Sequence, residues 1–272
     1  QRQMCIRDSI STYKNKVLSL GGGTNIPGKT HLGNQVNTMI EPGKPIGYFY
    51  GYKMDGVFQT QEEINNYRGG PDNTIIMPTA EPGDLKFVDL NGDGKLGEED
   101  RTMIGNPHPD FTFGLTLSGE YKGFDLSMFF QGSVGNDILN ILKYDIYSGT
   151  GWYNAPKDIF DKFWTGPGST NENFAISANS RDNLTMSEWY IENGSYVRLK
   201  NVTLGYTFPK QWVQKLTVQN LRLFVAAQNL FTITSYSGLD PELGNSNPAF
   251  MGIDMGWYPQ ARSFMVGLSL KL

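Results

Sequence analysis

An acidic stretch near the middle of the chain has the residue types and the spacing of a metal-binding loop. Asp89, Asn91 and Asp93 stand at positions 1, 3 and 5 of a twelve-residue loop. Lys95 offers its carbonyl oxygen at position 7, and Asp100 closes the loop at position 12. Carboxylate, amide and carbonyl oxygens are the ligands that Ca²⁺ prefers in proteins. The spacing therefore predicts a calcium site formed by these five residues.

Two other interpretations of this acidic loop, residues 89–100, stay open at this point. An Asx-rich turn needs no metal, because Asp and Asn side chains accept hydrogen bonds from nearby backbone amides. Asp100 is one methylene shorter than the Glu that usually closes a calcium loop, which weakens bidentate contact. Gly92, Gly94 and Gly97 also spell G-x-G-x-x-G, but no strand-helix-strand unit follows them, so a dinucleotide site is disfavoured.

Residues that commonly carry catalysis are scarce. The chain of 272 residues has one cysteine, Cys5, and two histidines, His31 and His108. A single cysteine excludes an internal disulfide framework and any multi-cysteine metal site. His108 stands directly before Pro109 and a predicted strand, where it reads as part of a loop. With a formal net charge of −4, the sequence also lacks the basic signature of a nucleic-acid partner, and we expect no enzyme here.

Aromatic residues fall in the long segments between predicted strands. Their faces can stack on sugar rings, which present apolar C–H patches. The alternative is that they pack within loops or form an aromatic girdle at a membrane interface. The candidate substrate-binding residues are Trp152, Tyr153, Trp189, Trp257 and Tyr258.

The segments that must position these residues read as β-strands. Apolar and polar residues alternate with a period of two, as expected when successive side chains face opposite sides of a sheet. No apolar run reaches the roughly 18 residues of a membrane helix, so a membrane crossing would use strands. The alternating runs lie near 111–118, 124–131, 201–208, 221–228 and 263–272, with a weaker one at 10–20.

The connections between these runs alternate in length. Those at 121–123 and 209–220 are short, whereas those at 21–110, 132–195 and 231–261 are long. Outer-membrane barrels show this asymmetry, with short periplasmic turns and long outer loops. A soluble β-sandwich also has alternating strands but has no reason to alternate its connections. Six strands are fewer than the smallest such barrel, so we expect further strands upstream.

Several long motifs resemble one protein family. Residues 190–209 read YIENGSYVRLKNVTLGYTFP, residues 221–234 read LRLFVAAQNLFTIT, and residues 236–242 read YSGLDPE. These stretches are similar to the late barrel segment of SusC/RagA-like TonB-dependent transporters. The resemblance extends from about Gly47 to the end of the sequence. The family chain usually ends in Phe, whereas this sequence ends in Leu272.

The resemblance implies an all-β fold, the C-terminal part of a large antiparallel transmembrane β-barrel that is 22-stranded in the family, with long extracellular loops. It also implies an outer-membrane location and uptake of oligosaccharides or other large nutrients. The implied partners are a SusD-like surface lipoprotein, the TonB complex through an upstream region, a glycan or peptide nutrient, and outer-membrane lipid.

The sequence thus divides into two parts. Residues 1–9 resemble a translated sequencing adapter, and we predict that they are a non-native leader. Residues 10–272 are predicted to be the C-terminal segment of a TonB-dependent receptor barrel. The alternative function is a secreted, calcium-stabilised carbohydrate-binding β module, which explains the acidic loop and the aromatic residues but not the alternating connections.

Overall fold

A computed structural model describes residues 2–29, 35–147, 154–176, 182–213, 218–244 and 247–271. The helices are α1 (Gln61–Asn66), α2 (Leu142–Tyr147), α3 (Ile159–Lys162) and α4 (Lys210–Val213). The strands are β1 (Arg2–Ser11), β2 (Ile26–Lys29), β3 (Val36–Ile40), β4 (Tyr48–Tyr52), β5 (Met54–Val57), β6 (Arg68–Gly69), β7 (Thr74–Ile75), β8 (Leu85–Phe87), β9 (Arg101–Gly105), β10 (Phe111–Tyr121), β11 (Phe124–Val134), β12 (Asp137–Asn140), β13 (Ile191–Asn193), β14 (Tyr196–Thr207), β15 (Asn220–Thr234), β16 (Ile253–Asp254) and β17 (Ser263–Lys271).

The long strands form one antiparallel sheet of six, in the order β1-β10-β11-β14-β15-β17. Five of its strands coincide with the strong alternating runs in the sequence.

The turn between β10 and β11 has two central residues with positive φ, Lys122 at 50° and Gly123 at 88°. Such a two-residue turn matches the right-handed twist of the strands it joins. The predicted tight hairpin is confirmed. Within the described residues, none of the helices has the length and apolar character needed to cross a lipid bilayer.

The strand register separates the side chains into two faces. Residues directly opposite each other on neighbouring strands point to the same side of a sheet. One row across all six strands consists of Ile6, Leu117, Met128, Val202, Ala227 and Phe264. The adjacent row on the other side consists of Arg7, Thr116, Phe129, Asn201, Gln228 and Ser263. The sheet therefore has an apolar face and a polar face, as a barrel wall requires.

The first strand differs from the prediction. The weak run at 10–20 was expected to be a strand, but β1 ends at Ser11 and the following residues leave the sheet. Val17 instead exchanges backbone hydrogen bonds with Gly43 and Lys44. β1 itself pairs with β10 along its whole length, from Arg2 opposite Tyr121 to Ser11 opposite Thr112. The non-native leader at residues 1–9 stays a prediction.

The long connections between the strands of the large sheet contain short strands and helices of their own. Small sheets with the orders β2-β3-β4-β9, β5-β8, β6-β7 and β13-β12-β16 lie within them. We call these parts, the described residues of 26–105, 137–193 and 236–256, the loop cap. Its fully buried side chains include Phe49, Phe58, Leu85, Leu139 and Tyr190. Alternation did not predict these strands, because most of them have only two to five residues.

Candidate functional site

The acidic loop closes on its own backbone. Asp89 accepts hydrogen bonds from the amides of Gly92 (2.7 Å) and Gly94 (2.8 Å) through its two carboxylate oxygens. The Asn91 side chain accepts from the amide of Asp93 at 2.8 Å, and Asp93 in turn accepts from the amide of Lys95 at 2.8 Å. These hydrogen bonds form a chain of Asx turns, the turn geometry that the sequence left open as an alternative.

Asp100 is the central anchor of the acidic loop. Its side chain is fully buried and accepts from the amides of Leu90 (2.9 Å), Asn91 (3.2 Å) and Gly97 (2.7 Å). In the described part of the chain, His, Cys, Asp and Glu side chains do not gather in threes with metal-binding geometry. The calcium ligand set of Asp89, Asn91, Asp93, Lys95 and Asp100 therefore stays a prediction.

Gly94 has a packing role that its loop position did not reveal. It has a φ of +85°, as a turn at position 6 requires. A Cβ atom at Gly94 would also lie 2.4 Å from the carbonyl oxygen of Gly69, which belongs to β6. Thr74 in β7 donates a hydrogen bond of 2.9 Å to the Gly94 carbonyl. The acidic loop is thus pressed against the β6–β7 hairpin.

Trp189 is a core residue of the loop cap. Only 6% of its surface is exposed, and its ring contacts those of Tyr147, Phe163, Phe174 and Tyr190. Its indole nitrogen donates to the Asn173 side chain at 3.0 Å. Trp189 is thus packed within the loop cap, where it also lines a cavity beside Phe163, and its role in substrate binding stays a prediction.

Trp257 and Tyr258 have open faces. They are 51% and 93% exposed, and the Trp257 indole nitrogen donates to the Ile253 carbonyl at 3.2 Å. Buried Asp254 fixes the turn below them by accepting from the amides of Gly256 (2.8 Å) and Trp257 (3.2 Å). The two aromatic side chains form an exposed pair on a firm support. Trp152 and Tyr153, the remaining aromatic candidates, lie outside the described residues.

Tyr236 completes this support from below. Its hydroxyl donates to Asp254 at 2.6 Å. Burial raises the pKa of Tyr236 well above its ordinary value, and the neighbouring Asp254 carboxylate raises it further. The Tyr236 hydroxyl therefore stays protonated and keeps donating at any physiological pH.

The two other residues with possible chemistry have structural surroundings. His108 is largely buried, with one ring nitrogen 2.8 Å from the Ile46 carbonyl and the other 3.3 Å from the Tyr13 hydroxyl. It joins the start of β10 to the loop cap, in agreement with the predicted loop role. Cys5 is exposed on β1.

A buried ion network was not predicted from the sequence. Arg198 of β14 binds Asp240 at 2.5 Å, Glu242 at 2.7 Å and the Thr232 hydroxyl at 2.7 Å. Lys200 binds both carboxylate oxygens of Glu242, at 2.7 and 2.8 Å. These contacts tie the segment after β15 to the sheet. The residues stand within the YVRLKN and LDPE motifs, so the signal was present, but their pairing was not.

Asp240 is held in its charged form by this network. Burial alone raises the pKa of Asp240, but hydrogen bonds from Arg198 and from the amides of Gln260 and Glu242 outweigh burial. The pKa of Asp240 therefore lies below its ordinary value. The carboxylate keeps its bond to Arg198 throughout the physiological pH range.

A second ion pair crosses a strand on the polar face. Arg222 of β15 binds Asp125 of β11 through two hydrogen bonds, and β14 runs between them. A Cβ atom at Gly205 would lie 2.5 Å from both side chains. Glycine at this position of β14 leaves the room in which the two charged groups meet.

Comparison with known proteins finds TonB-dependent receptors. The chain is 36% identical to TonB-dependent receptor P3 of Formosa agariphila over 97% of the chain. The resemblance to SusC/RagA-like TonB-dependent transporters is confirmed. The chain is also 31% identical to TonB-dependent receptor P26 of the same organism and 28% identical to TonB-dependent receptor SusC of Bacteroides thetaiotaomicron. No family model matches the chain.

The RagAB peptide transporter has the same fold. Its structure superimposes with a TM-score of 0.73 at 19% identity and covers 99% of this chain. The predicted all-β barrel architecture is confirmed, and so is the outer-membrane location typical of these receptors. The relatives are receptors and transporters, which agrees with the expectation that the chain is not an enzyme. The chain spans 26% of the length of receptor P3 and 27% of the RagAB chain.

Proposed function

We propose that this segment supplies wall and outer loops to a TonB-dependent importer of oligosaccharides or other large nutrients, working with a SusD-like surface lipoprotein. The observation that carries the proposal is the six-stranded sheet with a mainly apolar face and a mainly polar face. A secreted module would expose the apolar face to water, and soluble monomers rarely expose patches of that size.

The sheet needs further strands to form a closed barrel that spans the membrane. Its outer strands, β1 and β17, each have one unpaired edge within the described part of the chain. In hydrocarbon each unpaired backbone group costs several kcal/mol, so an open sheet does not span a bilayer. The remaining strands, the plug and the region that contacts TonB belong to the rest of the protein.

The mechanism is one of binding and gating. The apolar face lies against lipid, and the polar face lines the path that a nutrient takes. The ion network around Arg198 keeps Asp240 and Glu242, in the segment that follows β15, against the wall at the outer mouth of this path. No step breaks or forms a bond in the nutrient.

The aromatic pair Trp257 and Tyr258 favours a glycan nutrient. Changing both to alanine is expected to weaken binding of the glycan roughly 5-fold to 150-fold, because two aromatic stacking contacts of about 0.5–1.5 kcal/mol each contribute about 1–3 kcal/mol. The control is Trp212→Ala, since Trp212 is also exposed but lies in α4 at the opposite end of the strands. Calorimetry on the full-length receptor measures the change.

The importer itself is tested by uptake. Cells that depend on this receptor should grow on a glycan panel, and growth should stop when TonB is absent. Growth that persists without TonB contradicts the transport proposal. Growth on peptides alone would place the receptor with peptide importers such as RagAB and remove the glycan assignment.

Sidedness follows from the alternating connections. In intact cells, a cysteine replacing exposed Glu99 in the acidic loop is expected to react with a membrane-impermeant maleimide. A cysteine replacing Lys122, in the β10–β11 turn, is expected to react only after the outer membrane is opened. Equal labelling of both positions in intact cells would show that the assigned sides are wrong.

We also propose that the acidic loop binds Ca²⁺. Asp93→Ala should abolish calcium binding and loosen the loop while the large sheet stays folded, because Asp93 supplies the position 5 ligand. Asp72→Ala is the matched control, since Asp72 is an exposed acid in the neighbouring β6–β7 turn. Calorimetry with calcium on the full-length receptor checks this. The same heat from Asp93→Ala as from the unchanged receptor, or no heat from either, contradicts a calcium site.

A further inference from the structure

A cavity of about 440 Å³ lies in the loop cap, between α2 and the segment that follows β15. Leu142 and Ile146 line it from α2, and Leu239 lines it from the facing segment. Phe163 adds an aromatic edge. The volume is within the range of about 300–1,000 Å³ typical of small-ligand sites. The wall is thus apolar on two sides and large enough for a small molecule.

The charged groups on the cavity wall are paired with one another. Lys143 binds Glu192 at 3.0 Å, and Lys162 binds Asp158 at 3.0 Å. The hydrogen bond from Lys162 holds the pKa of Asp158 below its ordinary value. Burial raises the pKa of Glu192, but Lys143 and Ser237 outweigh burial and lower it. Two cations and two anions therefore cancel along the described wall.

The polar side of the wall is held in place before any ligand arrives. Glu192 accepts hydrogen bonds from the Asn140 side chain (3.0 Å), the Ser237 amide (2.8 Å) and the Ser237 hydroxyl (2.9 Å). Lys143 also donates to the Trp189 carbonyl at 2.8 Å. These bonds join the two sides of the cavity and fix its width, and such preorganisation lowers the entropic cost of binding.

We propose that this cavity binds one uncharged, hydroxylated ring of the nutrient, a neutral sugar unit. This inference rests on the proposed uptake of a glycan. The apolar ring face can pack against Leu142, Ile146 and Leu239, while ring hydroxyls reach the polar side near Ser237 and Lys143. A charged ligand would lose its hydration and meet only charges that are already paired. The site therefore discriminates against amino sugars, uronic acids and peptide termini.

The test measures binding of matched neutral and charged sugars to the full-length receptor in detergent. Saturation-transfer NMR titrations would use glucose, galactose, mannose and xylose, then glucosamine, galactosamine, glucuronate and galacturonate. We expect at least one neutral sugar to bind at least tenfold more tightly than its charged counterparts. Equal binding of the charged sugars, or no binding by any neutral sugar, would overturn the inference.

Leu239→Trp locates the binding in this cavity. Leu239 is 65% exposed at the mouth, so a larger ring there is tolerated by the fold and narrows the opening. We expect at least a tenfold loss of affinity for the neutral sugar. Leu18→Trp is the control, because Leu18 is equally apolar, 85% exposed and outside the cavity wall. If Leu239→Trp binds the neutral sugar as tightly as Leu18→Trp does, the assignment of binding to this cavity is wrong.

Uptake separates this inference from the proposed function. Leu239→Trp can leave both the TonB-dependent growth on a glycan and the affinity for the sugar unchanged. That result would contradict the cavity site but not the proposed importer. Loss of TonB dependence removes the importer itself. Leu239→Ala is a second variant that shortens the side chain without crowding, and it should weaken sugar binding less than Leu239→Trp does.

Discussion

Arg198→Ala is expected to release the segment 236–262 from the sheet. The change leaves Asp240 and Glu242 as largely buried carboxylates with one cation fewer, and breaking a buried ion pair in this way costs about 3–5 kcal/mol. Amide hydrogen exchange in residues 236–262 of the full-length receptor should then be at least roughly 100-fold faster.

The control for this change is Arg262→Ala. Arg262 lies near the end of the same segment, but its side chain is exposed, so little change is expected. Arg198→Lys should give an intermediate result, because an ammonium keeps the charge but cannot form the forked contact of a guanidinium with two carboxylates. Exchange in Arg198→Ala that matches the unchanged receptor would show that the ion network does not hold the segment.

The same network predicts a pH dependence. The pKa of Asp240 in the folded protein lies below its ordinary value, which is the value expected in the unfolded chain. The charged Asp240 therefore adds to the free energy of unfolding at any pH above that ordinary value. This contribution is lost as the pH falls through the pKa of the folded protein. The protection of the segment's amides, taken relative to their intrinsic exchange rate at each pH, should therefore decrease in acid, and Arg198→Ala should remove most of this decrease.

Gly94→Ala is expected to disrupt the acidic loop far more than Gly92→Ala. Both glycines have positive φ, at 85° and 74°, so both changes cost about 1–2 kcal/mol of backbone strain. Only at Gly94 does the new Cβ meet backbone, the Gly69 carbonyl oxygen, whereas Gly92 has open space around it. Overpacking adds roughly 1–3 kcal/mol at Gly94 alone.

Hydrogen exchange of residues 89–100 and of the β6–β7 hairpin measures this difference. Gly94→Ala should accelerate exchange in both elements, because the hairpin must move away from the loop. Gly92→Ala should affect the acidic loop only. Similar exchange in the two variants would mean that the close approach of Gly94 to Gly69 does not constrain the loop.

The sequence was sufficient for the wall of the barrel because strand faces depend on local information. Alternation with a period of two assigns each side chain to a face, and a one-residue error would put an entire apolar set on the wrong side. The runs at 111–118, 124–131, 201–208, 221–228 and 263–272 therefore predicted five strands and both faces. The weak run at 10–20 was predicted as one strand, but only Ile10 and Ser11 pair with β10, and Val17 bonds to the turn near Gly43 instead.

The loop cap was beyond the reach of this reasoning. Its strands are too short to show a period, and its order comes from a shared core assembled from three separate connections. Burial of Trp189 depends on contacts with Phe163 and Phe174, which lie in an earlier segment, so no local pattern showed that Trp189 is buried. The sequence also did not predict that the side chains of Trp257 and Tyr258 would be exposed.

By itself, the sequence determined the strand faces, the alternation of short and long connections and the family motifs, since each of these is written in neighbouring residues. Only the tertiary structure decided which distant residues meet. Arg198 contacts Asp240 and Glu242, Gly94 contacts Gly69, and Asp125 reaches Arg222 across Gly205. Such contacts depend on strand register and on the return of long connections to the sheet, and neither is encoded in the spacing of residues along the chain.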